Sequence, residues 1–141
     1  MVTYALDASA LLRYLDGEAG SNRVAEIIKS HLKGSCIVAV SALHWGEVAG
    51  ITCKFHGRSA MDLALAQLES FGFEIVPASA ERAVRASLIK LSLIKLKRRI
   101  PYVDAFGVEL AAGSPDHVLV TADYDLKPAS KDLKIEFLPA K

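Results

Sequence analysis

Cysteine is scarce: Cys36 and Cys53 are the only two in 141 residues. Two thiols make no disulfide framework and no zinc pattern, and His31, His44, His56 and His117 show no ligand spacing with them. Cys36 reads as a buried structural thiol, and free thiols suit a reducing compartment, so a cytoplasmic location is expected. A long hydrophobic run is also missing. The greasiest stretch, SLIKLSLIKLKRR, is broken by Lys or Arg every few residues, well short of the roughly 18 uninterrupted apolar positions of a membrane span. MVTYAL has no basic leader, so no signal peptide and no membrane association are expected. Charge of one sign is not in excess either: 17 Lys and Arg stand against 16 Asp and Glu. That balance neither demands a nucleic-acid partner nor forbids one.

Apolar residues are plentiful, at 52% of the chain, with a mean hydropathy of +0.28. Without a membrane span to absorb it, the surplus points to a dimer interface or a docking groove. The length predicts a single domain over residues 1–141. Periodicity and punctuation give the order of elements. A strand over Thr3 to Leu6 precedes a helix through Leu11, Leu12 and Leu15 that Gly17 and Gly20 end. Ser21 is the expected cap of a helix through Val24, Ile27, Ile28 and Leu32. SCIVAV reads as a strand buried on both faces, and Ser41 as the cap of the helix bearing Trp45, Glu47 and Ile51. A further helix runs from about Ser59 to Phe71, FEIVPAS forms a third strand, and Val84, Leu88 and Leu91 line an apolar helix face. Pro101 suits the first position of the helix YVDAFGVELAA. HVLVT, the acidic turn ADYD and a strand near KIEFL close the chain. This alternation predicts an α/β domain with a mostly parallel central sheet of about five strands, flanked by helices on both sides.

Four acids occupy telling positions. In parallel sheets, ligands bind in the crevice outside the strands' C-terminal ends. Asp7 ends the first strand and Asp123 follows HVLVT, so both belong on that edge. Each also has a local explanation: Asp7 as a helix cap, Asp123 and Asp125 as turn residues, and Asp104 as a first-turn acid complementing the helix dipole. Glu47 shares the i, i+4, i+8 stripe of Leu43 and Ile51, which predicts an inward side chain. Gly46 and Gly50, one turn apart, suggest that a neighbouring backbone presses this helix inward. An inward glutamate is costly unless paired, and no Lys or Arg is obviously available. Were these acids to converge, each pair about 4 Å apart would repel by roughly 4 kcal/mol at an effective dielectric of 20. A hard divalent cation, Mg²⁺ first and Mn²⁺ second, relieves that repulsion in an all-oxygen site.

DASALL at Asp7, SALHWGEV at Glu47, YVDAFGVELA at Asp104 and VTADYDL at Asp123 together resemble the PIN-domain ribonucleases, in particular the VapC toxins of type II toxin–antitoxin pairs. The resemblance spans essentially the whole chain, in order. It implies a PIN-like fold and metal-dependent endoribonuclease activity. It implies that Asp7, Glu47, Asp104 and Asp123 hold Mg²⁺ or Mn²⁺, with Ser9 and Thr121 orienting carboxylates and water and Asp125 as an auxiliary acid. A VapB-like antitoxin, an RNA substrate and a homodimer are the implied partners. Two departures, LKPAS after Asp125 and the basic RRIPY before Asp104, bear on substrate choice rather than on the acids.

The run Lys90, Lys95, Lys97, Arg98 and Arg99 is the candidate phosphate-tracking surface, set against the plainer reading of a solvated helix face. Tyr102 is read either as a base-stacking residue or as core packing, and Trp45 as a packing anchor. Two other classes fit acid-rich strand ends. One is a metal-dependent phosphohydrolase or phospho-accepting α/β domain with Asp7 as nucleophile, which a trapped adduct on Asp7 would reveal. The other is a non-catalytic module whose acids hold a structural cation, which would lose stability to a chelator and show no nuclease activity.

Overall fold

A computed structural model of the chain describes residues 1–95 and 99–141. Strands and helices alternate in the order β1 (Thr3–Leu6), α1 (Ala8–Asp16), α2 (Ser21–Leu32), β2 (Ile37–Ser41), α3 (Ala42–His56), α4 (Arg58–Ser70), β3 (Glu74–Val76), α5 (Ala80–Lys95), α6 (Tyr102–Ala112) and β4 (His117–Thr121). A 3-10 helix (Tyr124–Lys131) and β5 (Lys134–Phe137) follow. Every strand pairing is parallel, in the order β3-β2-β1-β4-β5. The sheet is therefore wholly parallel, and helices supply the crossovers such pairing requires.

Chain order reverses direction beside β1: Thr3 pairs with Ile37 of β2 on one side and His117 of β4 on the other. The helices leaving β1 and β4 diverge at such a switch point and open a crevice at the strand ends. Alternate residues feed opposite faces of the sheet, as a period of two requires. Ala5, Ala39 and Leu119 enter the core shared with Ala86 and Leu93 of α5 and with α6. Leu6, Val38, Val40 and Val120 enter the core shared with Leu11, Val24, Val48 and Leu68 of the first four helices.

The structure corrects several details. Gly20, at φ 90°, caps α2 in place of Ser21; a Cβ there would stand 2.9 Å from that of Leu138, so close approach and left-handed backbone both favour glycine. Pro101 is the residue before α6 rather than its first. The acidic turn is the start of the 3-10 helix, with Asp123 as its cap.

The larger correction concerns α5. Ala86 and Leu93 are its buried residues, with Ala83 and Ile89 packed beside them, whereas Val84, Leu88 and Leu91 are 62%, 59% and 50% exposed. The helix carries two apolar stripes, and only one can face α6. Gly46 and Gly50 have open space where a Cβ would lie, so no backbone presses on them. Among the described residues, no helix is long and apolar enough to cross a membrane.

Candidate metal centre

Asp7 stands directly after β1 at the sheet edge and also caps the helix that follows. Its backbone is extended (φ −84°, ψ 178°), and its side chain caps α1 by accepting from the Ala10 amide at 3.0 Å. It is also only 3% exposed. The Ser9 hydroxyl donates to Asp7 Oδ1 at 2.6 Å and accepts from the Ala122 amide at 2.8 Å, so one side chain ties the end of β1 to the end of β4. Thr121 lies 3.3 Å from the Ser9 hydroxyl and accepts the Asp123 amide at 3.0 Å. Asp123 in turn accepts the Asp125 amide at 2.9 Å. Asp125 therefore steadies Asp123 through its backbone.

Ser41 caps α3 by accepting the Leu43 amide, which starts the helix at the sheet edge and places Glu47 in its second turn. The buried stripe of α3 is His44, Val48 and Thr52, one position off the expected one, and leaves Leu43, Glu47 and Ile51 half-buried. Asp104 sits in the first turn of α6, a helix whose residues from Ala105 to Ala111 are all buried. That burial turns its start toward α3, and Asp104 Oδ1 comes to 3.6 Å from His44 Nε2.

Ligand atoms of His44, Glu47 and Asp104 lie within 4.8 Å of one another. Asp7 and Asp123 stand around this group within electrostatic reach. Burial is the main cause raising Glu47 above the ordinary carboxylate range, with Asp104 and Asp7 adding to it and His44 opposing. Asp123 is likewise raised by burial first and by Asp104, Asp125 and Asp7, against the Asp125 amide. Burial raises Asp7 against its bonds from Ser9, Thr121 and the Ala10 amide. The sequence placed Asp7 and Asp123 at this edge, and Glu47 and Asp104 only near the starts of their helices. It missed His44, whose only sequence signal is its place three residues before Glu47, adjacent on the helix surface.

These donors fit a divalent cation. Three carboxylates are held where ionisation is disfavoured without a counter-charge, and His44 Nε2 is buried with no hydrogen-bond partner. Such an atom is an exception in folded proteins and calls for an explanation. Beside the acids opens a groove of about 660 Å³ lined by Ser9, Leu12, Arg13, Ile51, Phe55 and Asp123 among others.

Of the expected RNA surface, Lys90 and Arg99 fall wholly within the described residues. Lys97, Arg98 and the Lys95 side chain lie outside the described residues. Arg99 is exposed, and Lys90 donates to the Ile100 carbonyl, which ties it to the chain between α5 and α6. Tyr102 donates to the Ala83 carbonyl at 2.9 Å and meets Phe106 edge-on at 5.4 Å, so it is engaged in packing α6 on α5. Trp45 packs against the core beneath α3 and α4, as an anchor should.

Solved structures share this architecture. A chain of VapBC2 from Rickettsia felis, bound to a DNA fragment from its promoter, superposes with a TM-score of 0.80 at 17% identity, covering 98% of this chain and 100% of that one. A chain of DNA-bound VapBC from Salmonella typhimurium gives 0.68 at 18% identity, covering 97% and 98%. VapC20 from Mycobacterium tuberculosis, a toxin that cleaves the sarcin–ricin loop, gives 0.70 at 18% identity, covering 96% and 99%. At such identities the likeness establishes the fold alone. No curated protein matches at the sequence level. The model of the PIN domain matches residues 4–131, nearly the whole length that carries the sheet and the acid cluster, and the chain belongs to the PIN domain family.

Proposed function

We propose that this chain is a Mg²⁺- or Mn²⁺-dependent endoribonuclease and the toxin of a type II toxin–antitoxin pair. The observation that carries the proposal is the meeting of Glu47 and Asp104 with His44 within 4.8 Å, beside Asp7 and Asp123, which Ser9 and Thr121 link at the switch point of the sheet. Asp7, Asp104 and Asp123 would hold the cation, with Glu47 beside it. When bound, the cation supplies an acidified water and offsets charge on the phosphate during in-line attack. Glu47, raised by burial and its acidic neighbours, is suited to accept the proton of the attacking water. Ser9 and Thr121 keep Asp7 and Asp123 in fixed relation by bonding across β1 and β4. Cleavage of RNA with Mn²⁺ present, its loss with EDTA, and products bearing 5′-phosphate and 3′-hydroxyl ends would support this mechanism. Ends bearing a 2′,3′-cyclic phosphate would overturn it.

Asp7 is a poor candidate for the phosphorylated nucleophile of the competing reading, being buried and engaged by Ser9 and Ala10. The similar VapBC structures support an antitoxin partner, and VapC20 supports an RNA substrate. The outward stripe of α5, Val84, Leu88, Leu91 and Ile94, supports a homodimer, since exposed apolar stripes mark association surfaces. Light scattering should give twice the chain mass at micromolar concentration, and a strict monomer would remove that element. For substrate, replacing Lys97, Arg98 and Arg99 together by Ala should make the dependence of RNA affinity on salt shallower by about two log units per log unit of salt. An unchanged slope would assign the basic run to solvation.

A further inference from the structure

We propose that His44 is a nitrogen ligand of the cation, so that this site selects Mn²⁺ over Mg²⁺. The inference rests on the metal-dependent reading above and goes beyond its four acids. His44 is 1% exposed, and its Nε2 has no hydrogen-bond partner. The nearest acid atom, Asp104 Oδ1, is 3.6 Å away, beyond hydrogen-bond range. A ring nitrogen of His44 belongs to the one group of ligand atoms, with Glu47 and Asp104, that lies within 4.8 Å among the described residues. A buried, unpartnered imidazole nitrogen facing carboxylates is the arrangement a cation would complete.

The ring is also held in place. Gly107 of α6 faces it: a Cβ there would stand 2.9 Å from His44 Cε1. Glycine at this point lets the imidazole lie between α3 and α6, where neighbouring backbone and side chains restrict its swing. His44 sits three residues before Glu47, so one helix presents an imidazole and a carboxylate to the same space. Nitrogen donors change selectivity in a known direction. Mg²⁺ favours oxygen ligands and retains its waters, whereas imidazole binding strengthens along the first-row series that begins at Mn²⁺.

Binding itself, not catalysis, is the test. Free Mn²⁺ is measured by electron paramagnetic resonance with Mg²⁺ as competitor, for the wild type, His44→Gln and Asp104→Asn. The ratio of Mn²⁺ to Mg²⁺ affinity should fall about tenfold or more in His44→Gln, in line with the loss of a metal-site nitrogen. Asp104→Asn should weaken both ions. An unchanged ratio in folded His44→Gln, with binding lost in Asp104→Asn, overturns the role of His44 and leaves the metal reading standing. Failure of the wild type to bind Mn²⁺ overturns both. Pulsed electron-spin-echo spectra of the Mn²⁺-loaded wild type provide a measurement independent of the variant's folding. A directly bonded imidazole nitrogen should modulate the echo, and its absence refutes the assignment.

Discussion

Asp104→Asn is expected to lower RNA cleavage by about 10²- to 10³-fold, the usual cost of removing one charge-stabilising group from an active site. That factor corresponds to roughly 3–4 kcal/mol of barrier. Asp104 is singled out because it stands ahead of Asp7 among the acids that raise both Glu47 and Asp123 and is the acid closest to His44. Asn keeps the shape and removes the charge. The fold should survive, because α6 is anchored by the buried run from Ala105 to Ala111 and by Glu109, which accepts from Arg82 at 2.8 Å and Arg85 at 2.9 Å. Losing a first-turn acid costs α6 only about 0.3–1 kcal/mol of dipole complementarity. Cleavage of a defined RNA with matched circular dichroism spectra checks this result, and activity within threefold of the wild type would defeat the catalytic assignment.

Cation binding should transform the pH dependence of stability. Asp7, Glu47 and Asp123 are all raised in the folded chain, against ordinary values near 4 once unfolded. Between those ordinary values and the raised ones, the native state holds more protons than the unfolded state. Stability of the cation-free protein therefore falls as pH rises through that interval, where the acids ionise in place. A cation that binds only the folded form offsets the loss: at 100 times its dissociation constant the gain is ~2.7 kcal/mol. For a chain of this length that is a rise in melting temperature of about 10 °C. The gain should grow as pH rises through that interval and vanish near pH 4, at the ordinary carboxylate values, where protons occupy the acids. Asp7→Asn, which fixes the protonated shape, should flatten the cation-free slope. Melting curves with Mn²⁺ or EDTA across this range decide it, and equal curves under both conditions would sink the metal reading.

The two acids at strand ends were legible because a rule of topology converts their place in sequence into a place in space. A buried apolar strand closing on Asp7, and another closing on Thr121 before Asp123, must share an edge if the sheet is parallel. Glu47 was legible through the cost of an inward charge, although its supporting argument was not sound: Gly46 and Gly50 face open space, and the buried stripe passes through His44. The glycine that matters for close packing is Gly107, on another helix. Nothing within SALHWGEV says what stands opposite His44, so neither the ring's burial nor its lack of a partner is a local property. The 3-10 helix was hidden for a related reason. Its residues YDLKPAS carry turn chemistry, and only Leu126 and Ala129, drawn into the core, hold them as helix.

The amino-acid sequence by itself determined the alternation of strands and helices, the burial of β2, and the place of Asp7 and Asp123 at the sheet edge. These follow from period, punctuation and hydrophobic runs, which act over a few residues. Tertiary structure alone decided which of two apolar stripes on α5 faces α6, how the start of α6 meets α3, and that an imidazole joins the carboxylates. Each is a contact between segments far apart in the chain, set by the shapes that the packed helices leave for one another.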